Sequence, residues 1–240
     1  FGAGFFSYYS VITGHENKIH DIIQRYLSPV WEVTNVFLIF FVVGLVGFFP
    51  DSAYYYGTAL LIPGSLVTVL LALRGAYYAY NTYGASQANN KTYMAIYGAT
   101  GLLIPAALST ILAISEGGII DERDGKVVLD WAAFFANPYT WSVILLALVS
   151  VLYISAMFLA FYADKAEDQR AFGVLRGYAL LWSGPTILAC VFAFFQINRQ
   201  NPEHFAHMLD MAWMFIASLI CYLGAVFLMW KKRRLGWSFL

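Results

Sequence analysis

The chain has 240 residues, of which 60% are hydrophobic and only 12% are charged, and its mean hydropathy is +0.65. A soluble domain carries about 25% charged residues, so this composition excludes an ordinary soluble fold. The 14 basic residues balance the 14 acidic ones, which argues against nucleic acid as a partner. The apolar residues form long runs, whereas a membrane β-barrel shows alternating segments of about 10 residues. The predicted fold class is therefore all-α, a polytopic membrane protein built as a helical bundle.

Apolar runs between polar connections predict six whole transmembrane helices and two partial ones, because a helix needs about 20 apolar residues to cross a bilayer. A partial span occupies residues 1–13 and a truncated one begins near Leu235, so we expect a fragment of a longer chain that forms one transmembrane domain. The predicted whole spans are 30–49, 56–78, 93–115, 139–162, 173–197 and 208–230.

Two connections have features of their own. Residues 14–28 are polar, but isoleucines such as Ile19 and Ile23 recur at helical spacing, which predicts a cytoplasmic amphipathic segment on the membrane surface. Residues 116–138 form the predicted outer loop, where Asp124-Gly125 is a turn signal for a small hairpin.

The distribution of Lys and Arg predicts the orientation in the membrane. Three of the 14 basic residues, Arg123, Lys126 and Arg199, fall on one side, which leaves eleven on the other. Cytoplasmic loops carry the excess of positive residues, so the side with eleven is predicted to be cytoplasmic.

Glu32 is the main candidate for membrane chemistry, because ionisable groups within a span are costly and often functional. Thr34 and Asn35 follow it, and Arg74 enters at the same cytoplasmic depth on the next span. Glu32 is either a first-turn acid that the helix dipole favours or a proton carrier, with Arg74 as a salt-bridge partner. Arg74 could instead extend its side chain to the cytoplasmic headgroups or contact a partner subunit.

The histidines and cysteines indicate no cofactor bound directly to this chain. The four histidines are His15, His20, His204 and His207. None lies in the middle of a predicted span, where an axial ligand to a membrane haem would be expected. Cys190 and Cys221 lie in apolar runs without metal-ligand spacing, so neither a metal site nor a disulfide is predicted.

Two predicted spans are similar to each other: residues 58–73 read TALLIPGSLVTVLLAL and residues 100–115 read TGLLIPAALSTILAIS. The similarity is either chance within a small apolar alphabet or an inverted repeat broken at Pro63 and Pro105. The second interpretation gives an alternative function, a proton-coupled secondary membrane transporter. A membrane scaffold without transport activity is a third.

The segment 29–50 resembles the second subunits of cytochrome bd-type quinol oxidases. That family has Pro-x-Trp-Asp-x-Asn-x-Val-Trp before an apolar helix that closes in Phe-x-Pro. This chain has Pro29, Trp31, Glu32, Val36 and Phe37, then Phe48-Phe49-Pro50. Glu32 replaces the family's aspartate but keeps the carboxylate, whereas Val33-Thr34 and Phe37 depart from the pattern.

Three further short stretches resemble the same family. Phe1-Gly2-Ala3-Gly4 is similar to the end of its Gly-Phe-Asp-Phe-Gly-x-Gly, whose aspartate would precede Phe1. Leu73-Arg74-Gly75 matches its Leu-Arg-Gly, and Asn137-Pro138 matches an Asn-Pro ahead of the fifth span.

The resemblance implies a haem-free subunit of two four-helix bundles and one peripheral helix in a bacterial or archaeal cell membrane. Its implied partner is a homologous subunit that carries haems b and d, oxidises quinol and reduces oxygen to water; a small single-helix subunit is a further candidate partner. Glu32 would be the acid of a cytoplasmic proton-uptake path, with Thr34 and Asn35 as relays. Arg74 and Trp31 would give structural or electrostatic support.

Overall fold

The structure is a computed structural model that describes residues 1–12, 36–83, 91–123 and 126–231. Almost all of the described chain is helical, in agreement with the predicted all-α class. The elements in chain order are α1 (Gly2–Ile12), α2 (Val36–Phe48), α3 (Pro50–Ala59), α4 (Leu61–Tyr83), α5 (Lys91–Glu116), β1 (Ile120–Arg123), β2 (Lys126–Leu129), α6 (Trp131–Ala136), α7 (Pro138–Lys165), α8 (Gln169–Gln200), α9 (Pro202–Asp210) and α10 (Ala212–Trp230).

Within these ranges, four helices are long and apolar enough to cross a membrane, and they lie in α5, α7, α8 and α10. The predicted spans 93–115, 139–162 and 173–197 fall inside α5, α7 and α8. The predicted span 208–230 is divided at Met211, where the backbone leaves helical geometry between α9 and α10. The chain is thus a multi-pass membrane protein with four such helices, or five if the bent pair of α2 and α3 is one span.

The bend between α2 and α3 separates the ends of two predicted spans. The helices meet at 118° across Phe49, whose backbone is non-helical at φ −132° and ψ 63°. Pro50 explains the position of this bend, because its ring disfavours helical geometry in the preceding residue while proline itself suits the first position of a new helix. The first residues of the predicted span 30–49 lie outside the described ranges.

The predicted span 56–78 begins in the wrong place, since α3 continues to Ala59 and α4 starts at Leu61. Pro63 therefore lies in the first turn of α4, where a missing N–H leaves no hydrogen bond broken. Pro105, by contrast, lies inside α5. The two prolines thus occupy different positions in their helices, which removes the mirrored break suggested by the internal similarity.

A three-residue turn joins α7 to α8 and sets them side by side. Glu167 adopts the left-handed backbone conformation at φ 58°. Asp168 N–H donates to the Ala163 carbonyl and Glu167 N–H donates to that of Asp164, the pattern of a Schellman cap. The Asp168 side chain then accepts from Arg170 N–H and Ala171 N–H and caps α8. The turn thus satisfies the end of one helix and the start of the next.

The largest buried cluster lies where α1 packs against α7 and α8. Phe6 of α1 is 1% exposed, and its ring stacks on Tyr178 with centroids 5.4 Å apart. Alanines such as Ala156, Ala160 and Ala179 are fully buried in this cluster. Small residues permit the close helix approach that provides packing energy inside a membrane.

The predicted hairpin in residues 116–138 is present, with β1 and β2 antiparallel and Ile120 paired with Leu129. Its apolar side packs on the end of α5 through Ile114, Ile119 and Phe134. The short helix α6 follows and was not predicted; Asp130 caps it by accepting from Ala132 N–H at 2.9 Å.

Candidate functional site

Four of the predicted site residues, Trp31, Glu32, Thr34 and Asn35, lie outside the described residues. Arg74 is described, and its side chain is 1% exposed. The side chain points between α1, α4 and α5, not toward the end of α4, so the alternative in which it reaches the headgroups is wrong. A fully buried arginine is costly and needs a physical account.

Arg74 connects α4 to α5 through both the backbone and the ring of Tyr97. Nη1 of Arg74 donates to the Tyr97 carbonyl at 2.9 Å. The guanidinium carbon lies 4.0 Å from the centroid of the Tyr97 ring and 5.6 Å from that of Phe1. A desolvated cation over an aromatic face gains about 2 kcal/mol or more, which offsets part of the burial cost.

Two glycines make room for the guanidinium. A Cβ at Gly4 would lie 3.0 Å from Nη2 of Arg74, and a Cβ at Gly101 would lie 3.1 Å from Nη1 and 2.6 Å from the Phe1 carbonyl oxygen. The last distance is shorter than van der Waals contact allows, so the helices could not stay in place around a larger residue. Gly4 and Gly101 thus shape a close-packed pocket, here called the arginine pocket, with Tyr97 and Phe1.

One nitrogen of the guanidinium is left without an acceptor. Nε of Arg74 is shielded from solvent and has no hydrogen-bond partner. The ion pairs found within the described ranges join His204 to Glu116 and His207 to Asp210, and neither involves Arg74. The described residues therefore leave a buried positive charge without an anionic partner.

Chemically, the arginine pocket can supply a fixed positive charge but no proton transfer of its own. A guanidinium keeps its proton in proteins, so it cannot pass that proton along a path. It can hold a neighbouring acid in its ionised form and fix the side chain that bears it. The chemistry of Arg74 therefore suits electrostatic and structural support, and its role stays a prediction.

A second polar group joins helix ends near the hairpin. Gln200 donates from Nε2 to the Gly117 carbonyl at 2.8 Å and accepts from Nδ2 of Asn137 at 3.1 Å. Nearby, Nδ1 of His204 lies 3.7 Å from a carboxylate oxygen of Glu116. These contacts tie the end of α5 to the start of α7 and to the junction of α8 with α9.

An apolar cavity of about 390 Å³ opens between α7, α8 and α10. Thr186, Cys190 and Tyr222 line its polar part. The Tyr222 hydroxyl donates to the Ser183 carbonyl at 2.8 Å, and the Thr186 hydroxyl donates to that of Trp182 at the same distance. Both of these hydroxyl donors are thus used within the protein, and apart from Ser150 and Ser218 the rest of the lining is aliphatic and aromatic.

The described histidines lie outside the cavity between α7, α8 and α10. Haem iron takes axial ligands such as histidine, methionine or cysteine thiolate. The described histidines, His204 and His207, lie on α9 against carboxylates. Of these three residue types, the cavity between α7, α8 and α10 has only Cys190 in its described lining. The described ranges also hold no group of three metal-ligating side chains.

Sequence reasoning identified Arg74 but missed its surroundings. Neither Tyr97 nor Gly101 was singled out in the sequence. The sequence signal that could have found the pocket is the pair Gly4 and Gly101, because small residues in spans mark close helix contacts.

Over its full length, residues 1–240, the chain matches the family described as cytochrome bd terminal oxidase subunit II. It is 38% identical over 228 residues to a Bacillus subtilis (strain 168) protein named putative cytochrome bd menaquinol oxidase subunit II. That alignment covers 94% of this chain and 64% of the relative, so the chain spans less than two thirds of the relative's length. The solved bd oxidase from Geobacillus thermodenitrificans contains a chain 54% identical to this one, with a TM-score of 0.82. The match covers 99% of this chain and 72% of that one.

Proposed function

The chain belongs to the cytochrome bd terminal oxidase subunit II family, and from this premise we propose that it serves as the haem-free second subunit of a bd-type quinol:oxygen oxidoreductase. The complex would oxidise quinol and reduce oxygen in a respiratory chain of a bacterial or archaeal cell membrane. The observation that carries this proposal is the family match across all 240 residues. The 54% identity to a chain of a solved bd oxidase supports it.

In the proposed arrangement the 240 residues contribute six whole spans and two partial ones. Of the 14 basic residues, three lie on one side of the membrane, and the side with the other eleven faces the cytoplasm. The four long apolar helices and the bent pair in the described ranges support most of this span order. The hairpin of β1 and β2 then lies on the outer side, at the opposite end of α7 from Lys165.

The proposed partner is a homologous subunit that carries haems b and d, with a small single-helix subunit as a further candidate. Haem in that partner would supply the electron transfer to oxygen. The name of the Bacillus subtilis relative includes menaquinol oxidase, which supports a quinol as the reductant.

We place a cytoplasmic proton-uptake path at Glu32, with Thr34 and Asn35 as polar relays and Trp31 as support. Glu32 is the acid that resembles the family pattern, and a carboxylate within a span is suited to carry protons. Arg74 would provide a fixed positive charge to this region, consistent with its burial and its contacts to Tyr97.

The alternative of a proton-coupled secondary transporter has less support. Its sequence basis was the pair of prolines, and the structure gives Pro63 and Pro105 different positions within their helices. Substrate flux in liposomes that contain this chain alone would favour the transporter over the oxidase subunit.

Co-purification tests the proposal. The intact protein is tagged in its native host, solubilised in mild detergent and purified beside an untagged control strain. We expect a second, haem-bearing membrane protein to accompany it, with a Soret absorption and quinol-dependent oxygen consumption that the control lacks. A purified protein with neither a haem-bearing partner nor Soret absorption would overturn the oxidase assignment.

A further inference from the structure

A pair of oppositely charged side chains joins the end of α5 to the start of α9. Glu116 is the last residue of α5, and His204 lies in the first turn of α9, where its N–H donates to the capping side chain of Asn201 at 3.1 Å. Nδ1 of His204 lies 3.7 Å from Oε2 of Glu116. This distance is longer than a hydrogen bond, so the attraction depends on the charge of the imidazole.

The helix ends favour this pairing. A helix dipole disfavours an anion at the C-terminus of its own helix and a cation at the N-terminus. Glu116 and protonated His204 are therefore each unfavourable in their own helix, while each suits the end of the other helix. Protonation of His204 thus stabilises the arrangement in which α9 lies against the end of α5.

The neighbouring helices do not supply a substitute for either charge. Tyr139 of α7 lies within electrostatic range of Glu116, but a phenol is neutral between about pH 5 and 8. Gln200 of α8 is neutral and bonds to a backbone carbonyl. Arg199 of α8 lies over the ring of Phe195, 4.6 Å from its centroid, and in the described part of the chain it is not within ion-pair distance of Glu116.

The other charged groups near this end of the bundle are also engaged or directed elsewhere. Glu203 precedes His204 in α9, and adjacent residues of a helix do not face each other. His207 lies 3.9 Å from Asp210, within α9 itself. Asp130 accepts from two backbone N–H groups of α6. Among the described side chains, Glu116 is therefore the acid that faces His204.

Few other contacts fix α9 in place. None of its residues is buried. The ring of Phe205 lies 6.5 Å from that of Phe194 in α8, and Phe194 lies 5.1 Å from Phe215 in α10. Phe194 and Phe215 both line the apolar cavity between α7, α8 and α10. The position of α9 therefore bears on one wall of that cavity.

We propose that His204 and Glu116 form a pH-sensitive latch that holds α9 against the end of α5. Histidine changes its charge between about pH 5 and 8, whereas a glutamate carboxylate stays ionised over most of this range. The latch is closed when His204 is protonated and opens as the pH rises. The two side chains are 44% and 29% exposed, so protons reach them from solvent. The latch does not depend on the proposed oxidase function, because contacts within this chain carry it.

Hydrogen exchange of α9 tests the latch in the intact protein, purified in its native assembly. Exchange of residues 205–210 is followed by mass spectrometry at about pH 5.5 and about pH 8, on either side of the titration of histidine. Division by the exchange rate of unstructured peptides at each pH removes the intrinsic pH dependence. Partly exposed ion pairs are weak, so we expect the protection of α9 to be about two- to fivefold higher at the lower pH.

Three variants separate the charge of His204 from its packing. His204→Gln should show low protection at both pH values, and Glu116→Gln should lose the gain at the lower pH. His204→Lys keeps a positive charge at both pH values and should retain the high protection at the higher pH. The matched control is His207→Gln, because the partner of His207 lies in α9 itself. This control should keep the wild-type pH profile.

The pH profile distinguishes the latch from a merely structural histidine, whose replacement would change protection equally at both pH values. Equal protection of wild-type α9 at the two pH values would overturn the proposal, and so would a wild-type pH profile in His204→Gln. If His204→Gln does not assemble, His204→Lys still decides, since a pH dependence like that of the wild type in this variant contradicts titration of His204 as its cause.

Discussion

Arg74 of α4 contacts Tyr97 of α5 twice, with Nη1 2.9 Å from its carbonyl oxygen and the guanidinium carbon 4.0 Å from the centre of its ring. Tyr97 thus accepts one hydrogen bond from Arg74 and also compensates part of the positive charge of the guanidinium. The two contacts can be separated by mutation, because the backbone carbonyl remains when the ring is replaced.

Tyr97→Leu is expected to lower the free energy of unfolding by about 1–2 kcal/mol, since it removes a desolvated cation–π contact. Tyr97→Phe keeps the ring face and serves as the control, with a smaller loss. Unfolding of the purified protein by increasing denaturing detergent measures both. Equal losses for the two variants would show that the ring face does not stabilise Arg74.

Arg176 fixes the end of α10, the least buried of the long helices. Nε donates to the Met229 carbonyl at 2.7 Å and Nη2 donates to the Trp230 carbonyl at 2.6 Å. Arg176→Met should cost about 2–3 kcal/mol, because hydrogen bonds to charged groups are the stronger ones, and should speed amide hydrogen exchange in the last turn of α10. Arg170→Met, an exposed arginine on the same helix, is the control. Unchanged exchange in α10 would contradict this role.

Gln200 holds the hairpin to the helix ends through Gly117 and Asn137. Gln200→Leu removes both hydrogen bonds while keeping a side chain of similar size. We expect the free energy of unfolding to fall by about 1–2 kcal/mol and hydrogen exchange in residues 117–130 to become faster. Asn198→Leu, at an exposed position near the same helix end, should leave exchange in the hairpin at the wild-type rate. Identical exchange in both variants would show that other contacts hold the hairpin.

Glu167 adopts a backbone conformation that glycine adopts more easily. Glu167→Gly should raise the free energy of unfolding by about 0.5–1 kcal/mol. It removes the cost of about 1–2 kcal/mol that a left-handed conformation imposes on a residue with a Cβ. The greater loss of chain entropy by glycine on folding offsets part of this gain. Glu167→Ala keeps the Cβ and should be close to wild type. Denaturing-detergent titration compares them, and a gain in the alanine variant equal to that in the glycine variant would point to the lost carboxylate instead.

Glu32→Gln tests the proposed proton path. The variant keeps the size and polarity of the side chain but cannot release a proton, so proton uptake coupled to oxygen reduction should fall while assembly survives. Uptake is followed with a pH-sensitive dye in proteoliposomes of the purified complex. Wild-type uptake would assign Glu32 to the start of its helix, where an acid is stabilised by the helix dipole.

Long apolar runs were sufficient to predict α5, α7 and α8, because the bilayer sets both the length and the composition of a spanning helix. Asp124-Gly125 was likewise sufficient for the hairpin. The end of a helix at Phe49 was predicted, whereas the breaks at Leu60 and Met211 were missed, because hydropathy varies little across them and local backbone geometry decides.

The candidate site was only partly predictable, for a related reason. A charge within an apolar run marks Arg74 as unusual, but the direction of a long side chain depends on which helices surround it. Tyr97 and Gly101 follow Arg74 at distances of 23 and 27 positions along the sequence. Their contacts with Arg74 arise from the packing of α4 on α5, which no local pattern encodes.

The short turn between α7 and α8 also affects how the protein is made. The carbonyls of Ala163 and Asp164 accept hydrogen bonds from within the turn, and the Asp168 side chain caps α8. The backbone hydrogen bonds of the turn between α7 and α8 therefore need no later segment of the chain. Helices joined in this way can leave the ribosome and enter the lipid as one hairpin. The two central helices would then be in place before the remainder of the chain is synthesised, ready to receive α10 as it follows.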